Sequence, residues 1–220
     1  MTTWAVLVAA GRGDRLGAGR PKAFVRLGEL PLLAESLRRL DDCDQVDGVV
    51  VVAPAEWEQP AILLAEELGV SKVAACVAGG ETRSESVRLG VAEVPDEAAV
   101  IVVHDAARPM LPGDMIPRLL EALGQGWDGA VPGLPVTDTV KRVQEGAVAE
   151  TLVRDELVAV QTPQAFVASV LRAAVAGEGS DCASLVEARG GRVAVVAGDE
   201  RLLKVTTQAD LERVAAWLAQ

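Results

Sequence analysis

The chain has 220 residues, half of them hydrophobic, enough for one sizeable core in one large domain or two small ones. Against 32 Asp and Glu stand 21 Lys and Arg, and the net charge of −11 argues against non-specific nucleic-acid binding. No apolar run approaches the ~18 residues that span a membrane. With no basic leader before the first strand, the chain is expected to be soluble and cytoplasmic. Cys43, Cys76 and Cys182 are widely spaced and outside any C-x-x-C, so they read as reduced thiols.

The first element is an unbroken apolar run, Val6-Leu7-Val8-Ala9-Ala10, the pattern of a strand buried on both faces. It runs into Gly11, Gly13, Gly17 and Gly19, interleaved with Arg12, Arg15 and Arg20 and closed by Pro21-Lys22. Glycines let backbone N–H groups approach an oxyanion, and the cations supply the charge a polyphosphate needs. A Walker A loop requires Ser or Thr after the lysine, where Ala23 stands; the dinucleotide fingerprint fails at Leu16. What is left, A-A-G-x-G-x-R-L with P-K following, fits either a phosphate-binding loop or a glycine-rich surface loop with solvated arginines.

Leucines at 32, 33, 37 and 40 predict a helix over 31–40, and Val49 to Val52 a second strand over 48–53. Residues 57–68 read as a helix stopped by Gly69, and 73–77 as a third strand running into Gly79-Gly80. A helix over 82–94 and a fourth strand over 100–103, ending in His104-Asp105-Ala106-Ala107-Arg108-Pro109, follow. This alternation, at spacings of about 25 residues, predicts an α/β fold with a doubly wound, mostly parallel sheet. Right-handed crossovers bring the strand ends near 10, 78 and 103 to one rim, where functional residues should gather.

The alternation breaks over 134–160, where Glu145-Gly146 turns between two segments rich in Val and Thr. Such a hairpin is too small to stand alone and must pack on its own domain or reach a second copy. Beyond it, 162–164 leads into a predicted helix to 176, with a further helix over 181–189 and a strand over 193–197. Thr206 or Thr207 caps a final helix to 218. The expected organisation is one domain over 1–220 with a protruding arm at about 134–160.

Several residues carry candidate chemistry. Asp105, just past a buried strand, suits either Mg²⁺, which takes one or two carboxylates plus substrate phosphates, or a helix N-cap. His104 is the one histidine and suits a hydrogen-bonded structural role; a zinc site is not supported. No G-x-S-x-G occurs, Ser84 and Ser86 suit a cap or a ligand, and Arg83 and Arg88 read as solvated. Thr139, Lys141, Arg142 and Arg154 put hydroxyl and cationic groups on the arm, and Lys204, between Leu203 and Val205, needs a partner or an anionic ligand.

The glycine loop resembles that of nucleotidyltransferases acting on phosphorylated sugars or polyols. Together with G-G-x-x-R-x-x-S (79–86), H-D-A-A-R-P (104–109), V-T-D-T-V-K-R (136–142), T-P-Q (162–164), S-D-C-A-S (180–184) and L-K-V-T (203–206), the whole chain resembles the 2-C-methyl-D-erythritol 4-phosphate cytidylyltransferase family. The resemblance implies a Rossmann-like domain and, with Mg²⁺ or another divalent cation, transfer of a cytidylyl group from CTP to 2-C-methyl-D-erythritol 4-phosphate with release of pyrophosphate. By it, Gly11, Gly13, Arg15 and Lys22 hold the triphosphate, with Arg15, Lys22 and Lys204 catalytic. Ala9, Ala10, Gly80, Glu81, Ser86, Asp105 and Ala106 frame the cytidine, with Asp105 beside the metal. Arg108, Thr162 and Lys204 bind the substrate phosphate, and Thr139 and Arg154 reach it from a second subunit in a homodimer formed by arm exchange. Cys182 stands where the family usually carries an acidic residue, and Glu81 where aspartate is expected. An acceptor such as ribitol 5-phosphate, or a non-catalytic nucleotide-binding module, are the alternatives.

Overall fold

The computed structural model describes residues 2–11, 13, 19–177, 179 and 181–219. In chain order it forms β1 (Thr3–Val8), β2 (Arg26–Leu27), β3 (Leu30–Pro31), α1 (Leu32–Asp41), β4 (Gly48–Ala53), α2 (Glu58–Glu67) and β5 (Val73–Ala78). There follow α3 (Arg83–Ala92), β6 (Val100–Asp105), α4 (Met115–Gly124), β7 (Gly129–Pro135), β8 (Lys141–Gln144) and β9 (Ala147–Thr151). The chain closes with β10 (Val158–Val160), β11 (Gln164–Val167), α5 (Ala168–Ala174), α6 (Cys182–Glu187), β12 (Val193–Ala197) and α7 (Gln208–Leu218).

The central sheet runs β10-β7-β11-β6-β1-β4-β5, with β12 also paired to β7. β1 pairs in parallel with both β4 and β6, β4 with β5, and β12 with β7; β10 and β11 are antiparallel insertions. The mostly parallel, doubly wound sheet expected from the alternation is thus present. Its strands carry continuous apolar runs because both faces are covered. Ala5, Leu7, Val49 and Val51 point into one core layer with Leu33, Leu37, Met115 and Leu119 of α1 and α4. Val6, Val50, Val52 and Ile101 point into the other with Val87, Phe166, Leu171 and Val186, under α3, α5 and α6. Each valine or leucine so buried contributes about 1.5–3 kcal/mol.

Four stretches differ from expectation. β6 continues through His104 to Asp105, because its ladder with β1 runs on to Leu7↔His104 and Val8↔Asp105. No helix starts there among the described residues, so Asp105 is not a cap. Residues 164–167 are a strand rather than the start of a helix: β11 slots between β6 and β7 and buries Ala165 and Phe166 on opposite faces. The amphipathic α4, with Met115, Ile116, Leu119, Ala122 and Leu123 buried at helical spacing, and the strand β7 went unassigned from sequence. The arm's ends, at Leu134 and Pro135 and at Val158 to Val160, belong to the central sheet, so only the stretch between them projects, with β8 and β9 as its own two-stranded sheet. A cis peptide joins Thr162 to Pro163.

Candidate active site

The carboxyl ends of β1, β4, β5 and β6 meet on one rim, as an open parallel sheet requires of a ligand site. Backbone bonds lock the strands' exits together: Ala9 N–H donates to Val52 O at 2.8 Å, Ala106 N–H to Val8 O at 3.0 Å, and Gly79 N–H to Ala53 O at 2.8 Å. Lys22 N–H donates to Gly11 O at 3.1 Å, closing the glycine loop across its base. Gly13 sits at φ +77°, and a Cβ there would stand 2.8 Å from the Lys22 Cβ, so both backbone sign and space demand glycine. The rim encloses a cleft of about 450 Å³.

The second wall is the corner after β5. Ser86, buried on the first turn of α3, donates its hydroxyl hydrogen to Thr82 O at 2.9 Å and accepts from Gly80 N–H at 3.1 Å. Thr82 caps the helix by accepting from Glu85 N–H, and Glu85 Oε2 accepts from Glu81 N–H at 2.9 Å. The corner's amides are therefore fixed before any ligand arrives, with the Glu81 side chain left at the cleft's edge.

Asp105 is the electrostatic centre. Its Oδ1 accepts from Arg83 Nε at 3.1 Å and Nη2 at 2.9 Å, and its Oδ2 from Lys204 Nζ at 2.7 Å. Burial pushes the Asp105 pKa up, but the attraction of Arg83 and then Lys204 outweighs it and holds the carboxyl well below its ordinary range. The two cations are not equivalent. Arg83 makes two bonds, also reaches Cys182 Sγ at 3.9 Å, and is the less exposed side chain (27%, against 40% for Lys204). Lys204 lies not on a strand but in the connection before α7. That connection is pinned on both sides of it: Val205 N–H donates to Ala107 O at 2.8 Å, and Arg108 Nη1 donates to Leu202 O. Cys182, buried at the start of α6, has its thiol pushed up to about 11 by burial and stays protonated.

A model of the IspD family, 2-C-methyl-D-erythritol 4-phosphate cytidylyltransferase, matches residues 3–220. This chain belongs to that family. It is 45% identical over 227 residues to the 2-C-methyl-D-erythritol 4-phosphate cytidylyltransferase of Saccharopolyspora erythraea, covering 100% of both chains. To the bifunctional enzyme IspD/IspF of Clavibacter michiganensis it is 45% identical over 221 residues, covering 98% of this chain but 54% of that protein. Among solved structures, a 4-diphosphocytidyl-2C-methyl-D-erythritol synthase superposes with a TM-score of 0.84 at 35% identity, covering 99% of this chain and 98% of that one.

Of the residues that the sequence resemblance to the cytidylyltransferase family singled out, eleven of those described line the one cleft. From the glycine loop and β1 come Ala9, Ala10, Gly11, Gly13 and Lys22; from the β5 corner Gly80, Glu81 and Ser86; from beyond β6 Asp105 and Ala106, with Lys204 facing them. Arg15 lies outside the described residues. Arg108 and Thr162 stand behind Asp105 rather than in the cleft: the Thr162 hydroxyl accepts from Asp105 N–H at 3.0 Å, and burial lowers the Arg108 pKa. Thr139 and Arg154 are exposed on the arm, off the cleft of their own chain, with Arg154 Nη1 donating to Thr137 O at 2.6 Å. Arg83, expected to be solvated, is instead a principal partner of Asp105. Its place in G-G-x-x-R-x-x-S was the available signal; which way it points on α3 was not legible.

The cleft does not make a cage for a resident metal ion. Among the described residues no three His, Cys, Asp or Glu converge. Both oxygens of the Asp105 carboxylate are already engaged by cations, which would repel a divalent ion at the same atoms. A polyphosphate brings oxygen donors of its own for such an ion.

Proposed function

We propose that this chain transfers the cytidylyl group of CTP to 2-C-methyl-D-erythritol 4-phosphate, giving 4-diphosphocytidyl-2-C-methyl-D-erythritol and pyrophosphate. One observation carries the site assignment: the glycine loop, the Gly80 corner and the Asp105–Lys204 pair open into a single cleft. Gly11, Gly13, Arg15 and Lys22 hold the triphosphate at the carboxyl end of β1. Ala9, Ala10, Gly80, Glu81, Ser86 and Ala106 frame the cytidine. The acceptor's phosphate lies toward Lys204, with Arg108 and Thr162 completing that side from behind Asp105. A magnesium ion entering with CTP supplies charge neutralisation on the triphosphate.

The acceptor is a phosphomonoester whose second pKa is near ~6, so its attacking oxygen is ionised at neutral pH and needs no general base. Alignment and charge stabilisation remain as the protein's task. In the ligand-free cleft Asp105 keeps Lys204 extended toward the site. When an anion enters, Lys204 has one bond to give up and turns to the phosphate, while Arg83 keeps Asp105 ionised. Lys204 and Lys22 then face the charge that grows on the transferring group.

The arm belongs to the same reading. Val143, Val148 and Val153 are 59%, 63% and 61% exposed on it, and Val158, Val160 and Val195 continue the apolar surface onto the sheet. A homodimer that exchanges arms buries this surface and brings Thr139 and Arg154 of one copy to the cleft of the other. With cysteines unpaired and no helix among the described residues long and apolar enough to cross a membrane, we assign the dimer to the cytoplasm. The deciding experiment is pyrophosphate release from CTP with a panel of polyol phosphates. Turnover confined to ribitol 5-phosphate, or CTP binding without turnover, refutes the assignment.

A further inference from the structure

Asp105 is held by groups behind the cleft as well as in it. His104, the residue before it on β6, is fully buried. Its Nε2 lies 3.1 Å from the Arg108 carbonyl oxygen, and its Nδ1 lies 3.3 Å from Thr162 Oγ1. The same Oγ1 accepts from Asp105 N–H at 3.0 Å. A carbonyl oxygen only accepts, so Nε2 carries a proton. The ring is fully buried and, among the described residues, meets a carbonyl at Nε2 and a hydroxyl at Nδ1 with no carboxylate to pair an imidazolium, so it is neutral. Nδ1 is then bare and must accept. Among the described residues only the Thr162 hydroxyl faces it, and that hydroxyl, already accepting from Asp105, has its one hydrogen to give. Every proton in the chain from Arg108 to Asp105 is thereby assigned.

The consequence reaches both halves of the acceptor side. Through Thr162, His104 fixes the amide of Asp105. Through the Arg108 carbonyl it fixes the turn 105–108, whose Ala107 and Arg108 pin the connection on either side of Lys204. We infer that His104, as its neutral Nε2–H tautomer, is a positioning residue that sets Asp105 and Lys204 for the reaction, and that Thr162 acts through Asp105 as a link in this chain. The inference rests on the reading of Asp105 and Lys204 as substrate-facing groups. It also leaves the Thr162 hydroxyl with no hydrogen to donate to a phosphate.

The test has a spectroscopic and a kinetic arm. The chain has 1 histidine, so nitrogen NMR of the tag-free, full-length protein reports this ring alone. The expected spectrum at neutral pH has a protonated Nε2 and a bare, hydrogen-bonded Nδ1; a proton on Nδ1, or an imidazolium, overturns the inference. In turnover with CTP and 2-C-methyl-D-erythritol 4-phosphate, Thr162→Val and His104→Gln each lower kcat about 10²-fold by misplacing Asp105, with the KM for CTP little changed. Thr162→Ser restores most of the loss. The double variant loses no more than either single one, because both break one chain. Losses that multiply to about 10⁴ overturn the inference, since Thr162 then acts on the substrate independently of His104. If the double variant does not fold, the Thr162→Val protein decides: its Nδ1 resonance must move, and an unmoved one overturns the inference. A wild-type protein without turnover refutes the proposed reaction instead, and the tautomer measurement still stands on its own.

Discussion

Lys204→Met separates a functional cation from a structural one. The substitution keeps the stem and removes Nζ, leaving Asp105 Oδ2, on a side chain 8% exposed, without its 2.7 Å partner. Breaking a fully buried pair costs about 3–5 kcal/mol and an exposed one about 0–1. Lys204 is 40% exposed and Arg83 stays on Oδ1, so solvent screening brings the expected cost to about 1 kcal/mol. For a chain of this length that is a fall in Tm of about 2–4 °C. Turnover behaves differently, because removing one preorganised donor that meets the developing charge costs about 10²–10³ in kcat. Pyrophosphate release and a thermal melt on the same preparation therefore give a large kinetic and a small thermal effect. A kcat within threefold of the parent, or a Tm lowered by more than about 10 °C, shows that the Asp105–Lys204 pair holds the fold rather than the substrate.

Lys22→Ala should lower kcat about 10²–10³-fold with little change in melting, and normal turnover would make the glycine loop structural. Asp105→Asn should lower turnover while leaving the midpoint of a magnesium titration in place; a midpoint displaced tenfold means that Asp105 ligates the ion. Partial burial raises the Asp210 pKa, but hydrogen bonds from Thr206 and Thr207 outweigh it and bring it down to about 2 from 3.8. A depressed carboxyl stabilises above its unfolded value, so the stability gap between the parent and Asp210→Asn is full above about pH 4 and closes as pH falls toward 2; a gap unchanged at pH 2 refutes the assignment. Subunits carrying Arg154→Ala and Lys22→Ala, exchanged into heterodimers, should regain activity, since half the mixed sites carry neither defect. Proven exchange without recovery places Arg154 in its own chain's site.

The parallel half of the fold was legible because its physics is local. Continuous apolar runs at 48–53 and 100–103 announce strands covered on both faces, and β4 is buried along its whole length. The rim followed from handedness, and the cleft lies there. β11 was not legible. Gln164-Ala165-Phe166-Val167 has too few residues to show a period, and its strand state comes from β6 and β7 on either side, which no local pattern records. The extension of β6 to Asp105 has the same origin, since pairing with β1 overrides the polar character of His104 and Asp105.

At the site, residue identity was legible and pairing was not. A lysine between two apolar residues implied a counter-charge, yet Asp105 stands 99 residues away in sequence from Lys204. Arg83 shows the converse: on a helix start, spacing alone cannot tell a guanidinium facing water from one folded onto a strand end. The arm follows a third logic. Its two segments are rich in valine, as buried strands are, yet within one chain Val143 and Val148 face solvent. A pattern that promises burial and a subunit that does not provide it are what the proposed homodimer would reconcile. In that proposed dimer Arg154, which meets only Thr137 and Asp155 in its own chain among the contacts described, would find an anion to bind.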